Sequence, residues 1–215
     1  MLKNAIVVFI AIGYRTNYVK HNRKFFENND CLIFSYNYKF ENPTDDCRVV
    51  YKKWSWTEFL YNVKKYLVKE HEFVTVVLDD VFIANYSFPS VIGQMKHYND
   101  SVSTPIIRGS YYSEAKIKIK HTELFVSTFT RRAFDCWIIM MDFLQINFEE
   151  TVGWGLDLCF PVFCPNVVHL VSPYLVFHKP HAKSFIKKLT GENEIRRYNN
   201  KMSHGGKKKC FTQVR

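Results

Sequence analysis

Apolar residues in this chain gather into unbroken β-branched and aliphatic runs, separated by segments whose apolar positions recur at helical spacing. Ala5–Ile12, closed by Gly13, together with Cys31–Tyr36 and Phe73–Leu78, has the pattern of strands buried on both faces. Between them, Thr16–Asn28 has helical character. Trp56–Val68 sets Phe59, Leu60, Val63, Tyr66 and Leu67 along one face, with Lys64, Lys65 and Lys69 outside it. Ser87–Tyr98 predicts another helix and Pro105–Ile107 a short strand. Further on, Glu123–Phe129 reads as a strand and Arg131–Leu144 as an apolar helix. Gly153–Asp157 opens a further helix, Val167–Val171 and Tyr174–Phe177 read as two short strands, and Ala182–Leu189 as a helix. Strand and helix alternate through the first hundred residues, which predicts an α/β domain around a mostly parallel sheet. The less regular second half supplies antiparallel edge elements.

The chain has 215 residues, of which 47% are hydrophobic and 17% aromatic, enough for one well-packed domain and too apolar for disorder. Residues 1–195 read as that domain. The net charge of +10 is unevenly spread: seven basic and no acidic residues lie between Arg196 and Arg215. Residues 196–215 therefore read as a solvated basic tail or linker, leading toward a downstream domain. The same tail supports a competing reading, a nucleic-acid-binding module. The six cysteines form no CxxC pair and fit no common zinc or disulfide framework, so reduced thiols are expected. The apolar run near the N-terminus is too short to span a bilayer and lacks a small-residue cleavage site, so no membrane span is expected.

Three segments carry candidate chemistry. The first is Leu78-Asp79-Asp80, where a buried strand ends in two carboxylates. Ligands of open α/β sheets collect beyond strand carboxyl ends, and two adjacent acids there suit a hard cation, Mg²⁺ or Mn²⁺, shared with substrate phosphates. An Asp-Asp turn capping the next helix fits the same residues. The second is Gly153-Trp154-Gly155-Leu156-Asp157. Its glycines permit a close approach, Trp154 offers a flat apolar wall, and Asp157 at a helix start is a candidate base or acceptor ligand; a helix cap beside a core Trp is the structural alternative. The third is Phe177-His178-Lys179-Pro180-His181 with Lys183, which reads either as a metal- and phosphate-binding strand end or as a basic turn. A weaker signal is the junction Ile10-Ala11-Ile12-Gly13-Tyr14-Arg15, suited to stacking a base on Tyr14 with Arg15 near phosphate. GxGxxG, P-loop, GxSxG and HExxH motifs are absent.

This order of parts resembles the GT-A glycosyltransferases. More closely, it is similar to the N-terminal glycosyltransferase domains of large multidomain chlorella-virus proteins. The resemblance covers nearly the whole chain, with GWGLD its most specific motif. It implies a nucleotide-sandwich α/β/α fold that binds a UDP-sugar with Mn²⁺ (or Mg²⁺). Residue by residue, it implies Asp80 as metal ligand with Asp79 beside it, His178 as the C-terminal metal ligand, and Asp157 facing the acceptor. Trp154 and Gly155 would position that acceptor. Ile10, Ala11, Gly13, Tyr14 and Arg15 would hold the nucleotide, with Lys179 and Lys183 assisting at the diphosphate. Leu78 stands where the family's DxD motif has its first Asp, a departure that leaves Asp79 and Asp80 alone. The resemblance further implies a glucose- or rhamnose-type donor, a glycan acceptor on a capsid glycoprotein, and a soluble enzyme of the host cytoplasm. A sugar nucleotidyltransferase also has strand-end acids, but only Gly13 and Arg15 are available here for its phosphate loop.

Overall fold

The structure is a computed structural model that describes residues 4–11, 16–36, 46–108, 124–148, 155–178, 185–206 and Cys210. Eight strands form one sheet: β1 (Ala5–Ala11), β2 (Asp30–Ser35), β3 (Cys47–Tyr51), β4 (Phe73–Leu78), β5 (Val81–Ile83), β6 (Ser101–Arg108), β7 (Val126–Thr130) and β8 (Val168–His178). Their order is β3-β2-β1-β4-β7-β6-β8-β5. The β3-β2-β1-β4 half is parallel throughout. Strand β7 is antiparallel to β4 and β6, and β5 is antiparallel to β8 at the far edge. The described helices are α1 (Thr16–Arg23), α2 (Trp56–Asn62), α3 (Phe88–Met95), α4 (Arg131–Leu144), α5 (Leu156–Phe163) and α6 (Phe185–His204).

Strand alternation separates two cores. On one face Ile6, Val8 and Ile10 of β1 pack with Phe59 and Leu60 of α2, Phe134 and Trp137 of α4, Phe160 of α5 and Tyr198 of α6. On the other, Ala5, Val7, Phe9 and Ala11 pack with Val19 of α1 and Phe88, Val91 and Ile92 of α3. With both faces covered, β1 carries no polar residue, which explains its unbroken apolar run. Helix starts are fixed by local chemistry. Ser55 accepts from Glu58 N at 3.2 Å ahead of α2, and Thr130 accepts from Ala133 N at 3.4 Å ahead of α4. The fold is an α/β/α sandwich in one domain, as the strand–helix alternation predicts.

Several readings change. Strands β3 and β5 are additions: β3 is a half-exposed edge strand whose five residues lack a long apolar run, and β5 is only three residues long. The two short strands expected between 167 and 177 are one strand, interrupted by a register shift opposite Pro105/Ile106. The basic stretch from Arg196 is not a loose tail as far as His204. It continues α6, because Tyr198 and Met202 fall at helical spacing and are 0% exposed. The expectation of reduced thiols is overturned most plainly. Cys31 bonds Cys47, Cys136 bonds Cys164, and Cys159 bonds Cys210. Spacing along the chain conceals these pairs because the fold creates them: Cys31 and Cys47 are register partners on adjacent strands, and helix α5 is tied at its middle by Cys159 and at its C-terminal end by Cys164.

Peptide mapping without reductant is expected to recover those three pairs, with each bridge contributing about 2–4 kcal/mol. Six titratable thiols in the unreduced, unfolded protein would contradict the pairing.

Candidate functional site

The parallel register sets Ile10 opposite Leu78, so β1 and β4 end side by side. Their ends are tied together by the backbone. Asp79 N donates to Ile10 O at 3.1 Å, and Tyr36 N donates to Ala11 O at 2.9 Å. β6 and β8 run parallel to each other, with Arg108 opposite Phe177, and finish at the same edge of the sheet. Six strands, β1, β2, β3, β4, β6 and β8, therefore turn their carboxyl ends to one edge of the sheet, where open α/β sheets bind ligands.

The short link from β4 to β5 gives that edge its shape. Only Asp79 and Asp80 separate the two strands, so Leu78 and Val81 lie at most about 11 Å apart. In a flat sheet the four steps from β4 to β5 would span roughly 19 Å. The β6-β8-β5 end must curl back over the end of β4. That curl brings His178, the register partner of Val81, onto the acidic pair. Nε2 of His178 donates to Oδ2 of Asp80 at 3.1 Å, with the two side chains only 12% and 16% exposed. The ring of Phe125 lies 4.2 Å from that of His178, and Leu78 N donates to Phe125 O at 2.9 Å. Asp79 is buried beside them at 3% exposure.

Two of the expected metal ligands, 98 residues apart in sequence, are thus in direct contact. Carboxylate oxygens and an imidazole nitrogen suit Mn²⁺ or Mg²⁺ better than a soft ion. Among the described residues no three His, Cys, Asp or Glu side chains form a complete metal cluster. A cation held by Asp80 and His178, with Asp79 adjacent, would therefore complete its shell with ligand oxygens and water, as Mg²⁺ sites commonly do.

Ile10 and Ala11 are buried at the end of β1, so any part they play in holding a nucleotide is through the backbone and shape of the strand end. Asp157 stands in the first turn of α5, half-buried, and its Oδ1 accepts from Leu158 N at 3.0 Å. Gly155 caps that helix with φ +84°, and a Cβ there would meet Ile195 Cγ1 at 2.5 Å. Its glycine is thus needed for the turn and for the approach of α6. Gly13, Tyr14, Arg15, Trp154, Lys179 and Lys183 lie outside the described residues.

Three contributors were not read from the sequence. Phe125 buttresses His178, Arg108 ends β6 at the site edge, and Asn22 of α1 fixes β5. Fully buried, Asn22 donates to Val81 O at 2.9 Å and accepts from Ile83 N at 3.0 Å. An Asn inside a polar helix gives no sign of this, because its partners lie about 60 residues away. Elsewhere, burial holds the Tyr86 hydroxyl well above its ordinary range beneath the sheet, and burial lowers the pKa of His169 on β8.

No protein-family model matches the chain, and no curated protein sequence does. Its fold is shared with solved structures. S. aureus TarS in complex with UDP aligns with a TM-score of 0.57 at 10% identity, over 92% of this chain and 65% of that one. GalNAc-T7 with UDP, GalNAc and Mn²⁺ aligns with a TM-score of 0.56 at 10% identity, over 84% and 44%. The 4-diphosphocytidyl-2C-methyl-D-erythritol synthase of Anaerococcus prevotii aligns with a TM-score of 0.53 at 11% identity, over 91% and 100%.

Asn22→Ala leaves two buried backbone groups of β5 without partners. It is expected to destabilise the protein by about 1–3 kcal/mol, read as a lower midpoint in urea unfolding. An unchanged midpoint would mean that β5 is held otherwise.

Proposed function

We propose that this chain is a metal-dependent glycosyltransferase that takes a UDP-sugar donor and transfers its hexose to a glycan acceptor. The Asp80–His178 contact at the carboxyl edge of a GT-A sheet carries the reading. It joins a carboxylate and an imidazole at the edge where open α/β sheets bind ligands, and solved structures of the same fold hold UDP, one of them with Mn²⁺. Asp80 and His178, with Asp79, would hold Mn²⁺ or Mg²⁺. Such a cation supplies a Lewis acid that offsets negative charge on the departing diphosphate.

The chain's own residues divide the remaining work. The end of β1 at Ile10 and Ala11, with Gly13, Tyr14 and Arg15, takes the nucleotide. Lys179 and Lys183 meet its phosphates. Trp154 and Gly155 position the acceptor sugar, and that orientation itself accelerates transfer. Asp157 takes the proton of the acceptor hydroxyl if the anomeric centre inverts, and orients that hydroxyl if it is retained. The donor sugar is of glucose or rhamnose type, and the resemblance to viral proteins points to a capsid glycan as acceptor and to further domains downstream. No described helix is long and apolar enough to cross a membrane. The three disulfides favour an oxidising setting over the reducing host cytoplasm expected from sequence.

A second reading, a sugar nucleotidyltransferase, has support of its own, because the 4-diphosphocytidyl-2C-methyl-D-erythritol synthase shares the fold over its full length. The two reactions differ in product. A panel of UDP-hexoses with Mn²⁺ and glycan acceptors is expected to release UDP, and Asp157→Ala to lower kcat by about 10²–10⁴ while UDP still binds. Diphosphate released from UTP and a hexose 1-phosphate, with no UDP from any donor, would favour the nucleotidyltransferase. Near-normal turnover in Asp157→Ala would reduce Asp157 to a helix cap.

A further inference from the structure

One face of the β6–β8 pair is covered at one end and bare at the other. Val102, Thr104, Ile106 and Arg108 alternate onto that face of β6, opposite His169, Val171, Leu175 and Phe177 of β8. Helix α5 covers the first level, where the rings of Phe160 and His169 meet at 5.6 Å. Among the described residues the cover stops toward the strand ends. Val171 is 70% exposed, and Ile106 and Phe177 are each 45% exposed. A contiguous strip left in water is a common mark of a ligand surface.

The strip ends at the same edge of the sheet as the candidate site, since Phe177 directly precedes His178, the two side chains leaving β8 on opposite faces. It also lies in the direction of Asp157. Four residues separate α5 from the start of β8, so the helix runs back along that strand and its first turn points toward the strand ends. The strip carries one charge. Arg108 is exposed, and among the described residues its guanidinium has no ion-pair or hydrogen-bond partner. An apolar floor with an aromatic ring beside an unmatched cation is complementary to a ring that is apolar on one side and anionic at its rim.

Resting on the glycosyltransferase reading above, we propose that this strip is the acceptor subsite and that the acceptor is an acidic pyranoside. The C–H face of the sugar lies on Phe177, with Ile106 and Val171 extending the floor. The guanidinium of Arg108 donates to the sugar's carboxylate or phosphate, a pairing its planar fork favours. Charge on the acceptor, rather than its hydroxyl pattern alone, then selects the substrate.

The test is a titration of the full chain, followed by ligand-observed NMR, with methyl glucuronide, glucose 6-phosphate and methyl glucoside. An acidic ligand is expected to bind about tenfold more tightly than the neutral one, and the two acidic arms distinguish carboxylate from phosphate. Arg108→Gln should abolish that preference. Phe177→Ala should weaken acidic and neutral ligands alike by about fivefold. Both side chains are exposed, so folding should persist, which thermal unfolding checks. Equal affinity for acidic and neutral glycosides, or unchanged binding in the variants, overturns the proposal. A loss of UDP affinity in Arg108→Gln with the acid preference intact also overturns it, assigning the cation to the donor. Acidic-glycoside binding through the strip, with no UDP binding by the parent chain, would leave the subsite standing and remove the glycosyltransferase reading.

Discussion

The connection between β4 and β5 is only two residues long, and both residues are acids. Everything else about the site depends on how the fold accommodates that short link. Because three strands stand between β4 and β5 in the sheet order, the link can close only if the β6-β8-β5 end curls over the end of β4. The same curl carries His178 onto Asp80. Site geometry and sheet curvature are therefore one constraint, and whatever holds β5 in place also sets the distance between the two side chains. Asn22 from one helix layer, Phe125 from the entry to β7 and the β5–β8 ladder all act on that position.

An acid pair held this way is costly until something joins it. Asp79 and Asp80 are shielded from water and adjacent, so their mutual repulsion favours a counter-charge in the site. His178 meets Asp80 by a direct hydrogen bond. A divalent cation would supply that counter-charge. The disulfides stiffen a different part of the molecule. Two of them tie α5, the helix that begins with Asp157, to α4 and to the segment beyond α6. The Asp80–His178 contact thus relies on sheet curvature, and the helix that carries Asp157 on covalent bracing.

Much of the fold was legible in the sequence. β1, β2 and β4 arise from unbroken apolar runs, and α4 from helical spacing that begins at Arg131, as it does in the structure. The acidic pair was legible because a buried strand ran straight into it, and His178 because a strand-like run ended there. The remainder depended on contacts between distant residues. Half-exposed β3 has too little apolar signal, α6 hides its buried Tyr198 and Met202 among basic residues, and no spacing rule pairs Cys159 with Cys210. Arg108 reads as an ordinary surface cation until its register partner is known to be Phe177.

The glycosyltransferase reading stands or falls on whether Asp80 and His178 form a cation-dependent site for a nucleoside diphosphate. Calorimetric titration of UDP into the protein, with Mn²⁺ and again with excess EDTA, tests this most directly. Saturable one-site binding is expected, dependent on the metal and lost in Asp80→Ala while the fold is kept. Absence of binding under both conditions, or an affinity indifferent to EDTA and to Asp80, would contradict the assignment.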